Sequence, residues 1–187
     1  MALSINEIKS GVTILVDAEV YIVIDTQHVK PGKGAAFVRA KLRNLKNASI
    51  QEKTFRGDEK IEEAFVEERR LQYQYASGNL LHFMDQDNFE EITVSQDNLG
   101  DKKKFLKDNL EVTGYFYKNE ILNISLPNFI EFKVVHTEPG IKGDTAKSGT
   151  KPAEIETGAA VQVPLFINLG DRIKVDTRTG EYVERTY

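Results

Sequence analysis

Lys33 is the one residue of this chain set between two glycines, which leave its side chain free to act on a partner. It lies between Gly32 and Gly34, after Lys30-Pro31. Pro31 restricts φ, while the two glycines allow backbone angles that other residues resist, so the five residues read as a shaped tip. No adjacent side chain can cover the amine, which makes it a charged donor on a long stem and suits it to probing a partner more than to abstracting a proton. A plain surface turn has the same composition, although loops carry sites disproportionately. Other chemistry is hard to assemble. His28, His82 and His136 are scattered without metal-ligand spacing and read as ordinary strand residues. The stretch from Gly143 to Lys151 looks like a phosphate loop in composition, but it ends Gly-Thr-Lys where that motif needs Gly-Lys followed by Ser or Thr. Glu90 and Glu91 are adjacent, so in a strand they face opposite ways and cannot share a proton-transfer task. With no cysteine there is no thiolate nucleophile, thiolate metal site or disulfide. A non-enzymatic protein without metal or cofactor is expected.

The elements that would hold Lys33 out are strands. Val12 to Val16, Val20 to Asp25, Ala36 to Leu42 and Ile50 to Phe55 are rich in Val, Ile, Leu and Phe. Turns are expected at Asp17-Ala18-Glu19 and at 30–34. From Phe37 to Arg43 the residues alternate, which sets Val38, Ala40 and Leu42 on one face and Arg39, Lys41 and Arg43 on the other. Residues 28–56 hold eight Lys or Arg against one acid, Glu52, a local charge of +7 in a chain of net charge −4. A basic prong on an acidic body follows, although a charged face can equally be one that simply meets water.

Further along, the strand signals continue. Leu71, Tyr73 and Tyr75 alternate with Gln72 and Gln74, Ser77-Gly78-Asn79 turns the chain, and strands are expected at Leu80 to Met84 and Phe89 to Val94. Ser95 is the expected N-cap of one short helix over 96–106, whose Lys102-Lys103-Lys104 run reads as a solvated face. A hairpin follows, from Glu111 to Tyr117 and Ile121 to Leu126 around Lys118-Asn119. The last third repeats the style, with strands at Phe129 to Thr137, Ala159 to Pro164, Arg172 to Asp176 and Tyr182 to Arg185, and a loop over 138–152. Boundaries near Phe65 and at Pro127-Asn128 divide the chain into segments 1–64, 65–127 and 128–187. The expected class is all-β, three consecutive small β-barrels. No apolar run approaches membrane-spanning length, and the first residues lack a secretory pattern. A cytoplasmic protein without a membrane partner is expected.

Two motifs carry a family resemblance. Val29-Lys30-Pro31-Gly32-Lys33-Gly34-Ala35-Ala36-Phe37 closely resembles the tip region of bacterial elongation factor P. Lys151, Ala153, Gly158, Val161, Val163, Pro164, Ile167 and Gly170 fall at the spacing of that family's C-terminal pattern, and residues 173–182 also look like family sequence. The resemblance implies an SH3-like (KOW-type) N-terminal barrel followed by two OB-fold barrels, in an elongated L shape similar to tRNA. It implies a monomeric translation factor that binds the ribosome between the P and E sites and relieves stalling at consecutive prolines by positioning peptidyl-tRNA. By the same carry-over Lys33 is the positioning residue, shaped by Lys30, Pro31, Gly32 and Gly34. Arg39, Lys41 and Arg43 would hold RNA, and Gly143, Asp144 and Thr145 would approach mRNA in the E site. The tip residue is commonly modified in the family, which implies a lysine-modifying enzyme as a further partner. Lysine there excludes the arginine-rhamnose variant and leaves β-lysyl, aminopentanol or no modification open. The Gly34-Ala35-Ala36-Phe37 continuation departs from the Gly-Gln-Ala-Phe of many β-lysylated members and leans toward aminopentanol. The alternatives are an elongation-factor-P-like paralogue, or a general single-stranded nucleic-acid binder stacking bases on Tyr73, Tyr75, Tyr115 and Tyr117, although these tyrosines lie in a net acidic segment and read as barrel core.

Overall fold

The computed structural model describes residues 2–30, 32, 34–139 and 149–187. Its regular elements are strands, with helix confined among the described residues to 3₁₀ turns. The first sheet contains β1 (Ala2–Leu3), β2 (Thr13–Val16), β3 (Glu19–Val29), β4 (Phe37–Asn44), β5 (Ile50–Arg56) and β6 (Ile61–Glu63), in the order β1-β6-β2-β3-β4-β5. The second contains β7 (Glu67–Ser77), β8 (Leu80–Asp85), β9 (Glu91–Ser95), β10 (Glu111–Tyr117) and β11 (Glu120–Ser125), in the order β11-β10-β7-β8-β9. The third contains β12 (Phe129–Thr137), β13 (Thr150–Ile155), β14 (Ala160–Pro164), β15 (Arg172–Asp176) and β16 (Glu181–Thr186), in the order β14-β13-β12-β15-β16. The chain divides into two compact units, 1–69 with 114–124 and 70–113 with 125–187.

Local chemistry explains the turns. Asp17 and Ala18 have φ of 51° and 66°, and Lys118 and Asn119 have 50° and 65°. Two successive left-handed residues are what a two-residue hairpin needs if its twist is to match that of the flanking strands. In the first sheet, Ile8, Ile14, Val23, Val38, Ala40, Leu42, Phe55 and Ile61 form one apolar core. At the end of β4, Asn44 is 1% exposed, yet its polar atoms are satisfied. Its amide donates to Glu19 Oε2 at 2.7 Å, and its carbonyl oxygen accepts from the N–H of Lys46 and Asn47 at 2.8 and 3.1 Å.

Within the second unit, the 3₁₀ turn Gly100–Phe105 packs against the third sheet. The Phe105 and Phe132 ring centroids are 6.0 Å apart, and Thr157 Oγ1 donates to Lys104 O at 2.6 Å. Lys107 Nζ donates to Glu131 O at 2.6 Å. A Cβ on Gly180, whose φ is +77°, would meet the Phe105 ring at 3.6 Å.

Three expectations need correction. The segment 96–106 forms two 3₁₀ turns, Gln96–Asn98 and Gly100–Phe105, rather than one helix, although Ser95 does cap the first by accepting from Asp97 N. Gly100, the first residue of the second turn, has φ +53°, outside the helical region, which breaks the run. The expected loop over 138–152 hides the start of β13. Pro152 argues against a strand in sequence, but Thr137, the last residue of β12, pairs with Ala153, so Pro152 lies just beyond the β12 ladder and has a strand neighbour only on the β14 side, at Gln162. Tyr75 is not a core residue. A register shift between Tyr73 and Tyr75 leaves Tyr73 inward and Tyr75 half-exposed.

Asp176 gives the fold a pH dependence. Arg178 donates to it from its side-chain Nε and Nη2 and from its backbone N–H, and these bonds hold the carboxyl down from 3.8 to about 2. The folded state therefore favours the carboxylate. Its stabilisation is complete above the unfolded value near 4 and is lost as the pH falls toward 2. Urea unfolding from pH 5 down to 2 should show the wild type losing stability more steeply than Asp176→Asn, and parallel curves would contradict this origin.

Candidate nucleic-acid interface

The β3–β4 hairpin carries the predicted site. Val38, Ala40 and Leu42 are fully buried, whereas Arg39, Lys41 and Arg43 are all exposed, as the alternation requires. In the ladders Arg39 faces Gln27 and Thr54, Lys41 faces Asp25 and Glu52, and Arg43 faces Ile22 and Ile50. Among the described residues no ion pair engages any of the three cations. Both ladder neighbours of Lys41 are acidic, so the stripe is a cation row with a carboxylate on each side of its middle member. A register shift between Val23 and Asp25 makes Ile24 the extra residue of a bulge, and beyond it β3 contributes no buried residue. The outer half of the hairpin is therefore backed by β4 and β5, where Val38 pairs with Phe55.

The last pair of the hairpin is Val29–Phe37. Lys30, Gly32 and Gly34 beyond it are exposed. Gly34 has φ +116°, an angle that L side chains rarely adopt, and a Cβ on Gly32 would meet nothing within 4 Å. The two glycines thus differ in role: position 34 is held open by backbone angle, position 32 by neither space nor, in the same sense, by angle. Lys33 and Pro31 lie outside the described residues, as do Gly143, Asp144 and Thr145.

At Tyr115, a β10 residue in the same unit as β4, burial and Glu68 push the hydroxyl up while Arg43 opposes the shift. That places Tyr115 within electrostatic reach of the cation row, a neighbour that the sequence considered only as a stacking or core residue. Of the other tyrosines, Tyr73 is buried and Tyr117 half-buried. Tyr75 stacks on His82 at 4.3 Å with 12° between the rings, and His82 Nδ1 lies 2.6 Å from Glu91 Oε1. All three histidines are strand residues, in β3, β8 and β12. Among the described residues no group of three His, Cys, Asp or Glu could hold a metal ion, and no helix is long and apolar enough to cross a membrane.

The C-terminal spacing pattern has a structural reading. Lys151, Ala153, Val161, Val163 and Ile167 are buried, and Gly158 and Gly170 have φ of +84° and +89°. The pattern marks the interior and the turns of the third sheet.

Comparison with known proteins settles the family. The elongation factor P KOW-like domain matches residues 4–61, the elongation factor P OB domain residues 66–124, and the elongation factor P C-terminal domain residues 130–185. Elongation factor P of Natranaerobius thermophilus is 56% identical over 180 residues, covering 96% of each chain. That of Moorella thermoacetica is 52% identical over 183 residues, covering 98% of this chain and 99% of the relative. The chain belongs to the elongation factor P family. It is an all-β translation elongation factor with KOW-like and OB-type barrels. Among solved structures, eukaryotic translation initiation factor 5A from Methanococcus jannaschii superposes with a TM-score of 0.55 at 19% identity, covering 66% of this chain and 93% of that one, a likeness of fold.

The two faces of β4 should separate in stability measurements. Leu42→Ala removes a fully buried side chain and is expected to cost about 2–5 kcal/mol in urea unfolding. Arg39→Ala on the opposite face is expected to change stability by no more than about 0.5 kcal/mol. Equal losses would show that the cation row is part of the packing.

Proposed function

We propose that this elongation factor binds the ribosome between the P and E sites and stimulates peptide-bond formation by ordering peptidyl-tRNA, relieving stalling at consecutive prolines. Support comes chiefly from the exposed cation row of β4, which leads into a tip whose Gly34 adopts a glycine-favoured angle, in a chain of this family. Lys33 makes the approach to the acceptor end. It adds no proton transfer of its own, so the reaction remains the ribosome's and passes through a better-aligned geometry. Proline is a constrained nucleophile and gains most from alignment.

Arg39, Lys41 and Arg43 hold RNA backbone, Lys30, Pro31, Gly32 and Gly34 shape the tip, and Gly143, Asp144 and Thr145 approach mRNA. In this reading 1–64, 65–127 and 128–187 are the three domains. The protein works as a cytoplasmic monomer without cofactor or catalytic residue of its own. Lys33 accepts a covalent group from a lysine-modifying enzyme, with aminopentanol favoured over β-lysine by Ala35.

Single-round translation of a message encoding a proline run tests the role of Lys33. Lys33→Ala should lower the stimulated rate by roughly 10- to 100-fold, and an unchanged rate would refute it. Replacing Arg39, Lys41 and Arg43 by Ala should weaken ribosome binding and flatten its log–log salt dependence by about 2, since each phosphate contact contributes about 0.7 to 0.9. Affinity indifferent to both salt and these changes would remove the row from the interface. Intact mass of the protein from its native source, with peptide mapping at Lys33, identifies the attached group.

A further inference from the structure

Lys151 occupies a position where the barrel calls for an apolar side chain. It alternates with Ala153 and Ile155 on the inward face of β13, pairs in register with the fully buried Val163, and is 7% exposed. Burying an ammonium is costly unless a partner compensates it, so a lysine here conflicts with the pattern around it. Its partner is a backbone carbonyl: Nζ donates to Glu138 O at 2.6 Å, thirteen positions back along the chain. A second bond runs beside it, from Thr137 Oγ1 to Pro152 O at 3.0 Å. Both join the end of β12 to the start of β13. Thr137 and Ala153 are the last ladder pair there, so Pro152, Lys151 and Glu138 lie where the regular pairing of these two strands has stopped.

We infer that Lys151 is a positioning residue. Its buried ammonium replaces the ladder bonds that end at Thr137–Ala153 and ties Glu138 to β13, which sets the direction in which the chain leaves β12 and re-enters β13. A methionine of similar length would fill the same space and leave the Glu138 carbonyl without this donor. The functional consequence rests on the reading that Gly143, Asp144 and Thr145 approach mRNA, since these residues lie between Glu138 and Lys151 in the chain. The lysine of the family's C-terminal pattern thereby acquires a task different from that of the apolar residues around it.

The full chain carrying Lys151→Met, beside Lys151→Arg, tests this by amide hydrogen exchange and by single-round translation on a proline-run message. In Lys151→Met, protection in a peptide ending at Glu138 should fall at least about tenfold while protection of β15 and the thermal midpoint hold. Maximal stimulation of translation should fall several-fold at an unchanged half-saturating concentration. Unchanged protection near Glu138 would overturn the inference. If Lys151→Met lowers the midpoint, Lys151→Arg decides: retention of wild-type local protection by this donor-bearing variant supports the tie, and loss of it counts against it. Local protection lost with translation unaffected would keep the tie and refute the presentation of 143–145 to mRNA, which separates the two readings.

Discussion

The alternation of β4 is the constraint on which the N-terminal sheet and its candidate interface both depend. Successive strand residues must face opposite ways, so the placing of Val38, Ala40 and Leu42 in the core also fixes where Arg39, Lys41 and Arg43 go. A slip of one residue would bury three cations and expose the core face together, which makes the register strongly specified. The spacing of the cations is inherited from the strand, about 7 Å for every second residue. Asp25 and Glu52 beside Lys41 add a local constraint, since opposite charges in neighbouring register positions favour the observed pairing over slipped ones.

Each sheet also ends a strand with a buried Asn or Asp that gathers the turn after it. Asn44 closes β4, Asp85 closes β8 and accepts from Asp87 N at 2.9 Å, and Asp176 closes β15 and accepts from Arg178. All three are 9% exposed or less. A short polar side chain at a strand end can accept N–H groups that have left the ladder, and each bond made offsets the desolvation that burial imposes. In small barrels joined by tight turns this serves in place of the helix caps that a helical protein would use.

Much of this was legible in the sequence. The β4 faces followed from period-2 alternation, and the turns at Asp17-Ala18-Glu19 and Lys118-Asn119 from their position between apolar runs, while their left-handed angles came from the structure. What escaped detection was decided by tertiary register. Pro152 looks like a strand breaker until the end of β12 is known, and Tyr75 follows the core alternation until the shift after Tyr73 turns it outward. The helical reading of 96–106 overlooked Gly100, whose positive φ breaks the run where the second of two 3₁₀ turns begins. The proximity of Arg43 to Tyr115 joins residues over seventy positions apart and has no local signal. In the C-terminal pattern the spacing was visible, but not that Lys151 points inward with the apolar residues.

The second unit relies on a kind of contact that differs from the cation row. Lys107 and Thr157 donate to backbone carbonyls, and Phe105 packs between Phe132 and Gly180. The one ion pair in this group, Lys107–Glu156 at 3.5 Å, is partly exposed and contributes little. Apolar packing and hydrogen bonds to neutral carbonyls are nearly insensitive to ionic strength, whereas cations gathered on an open face are screened by it. Salt therefore acts on the charged face of β4 without loosening the packing of residues 100–107 against the third sheet.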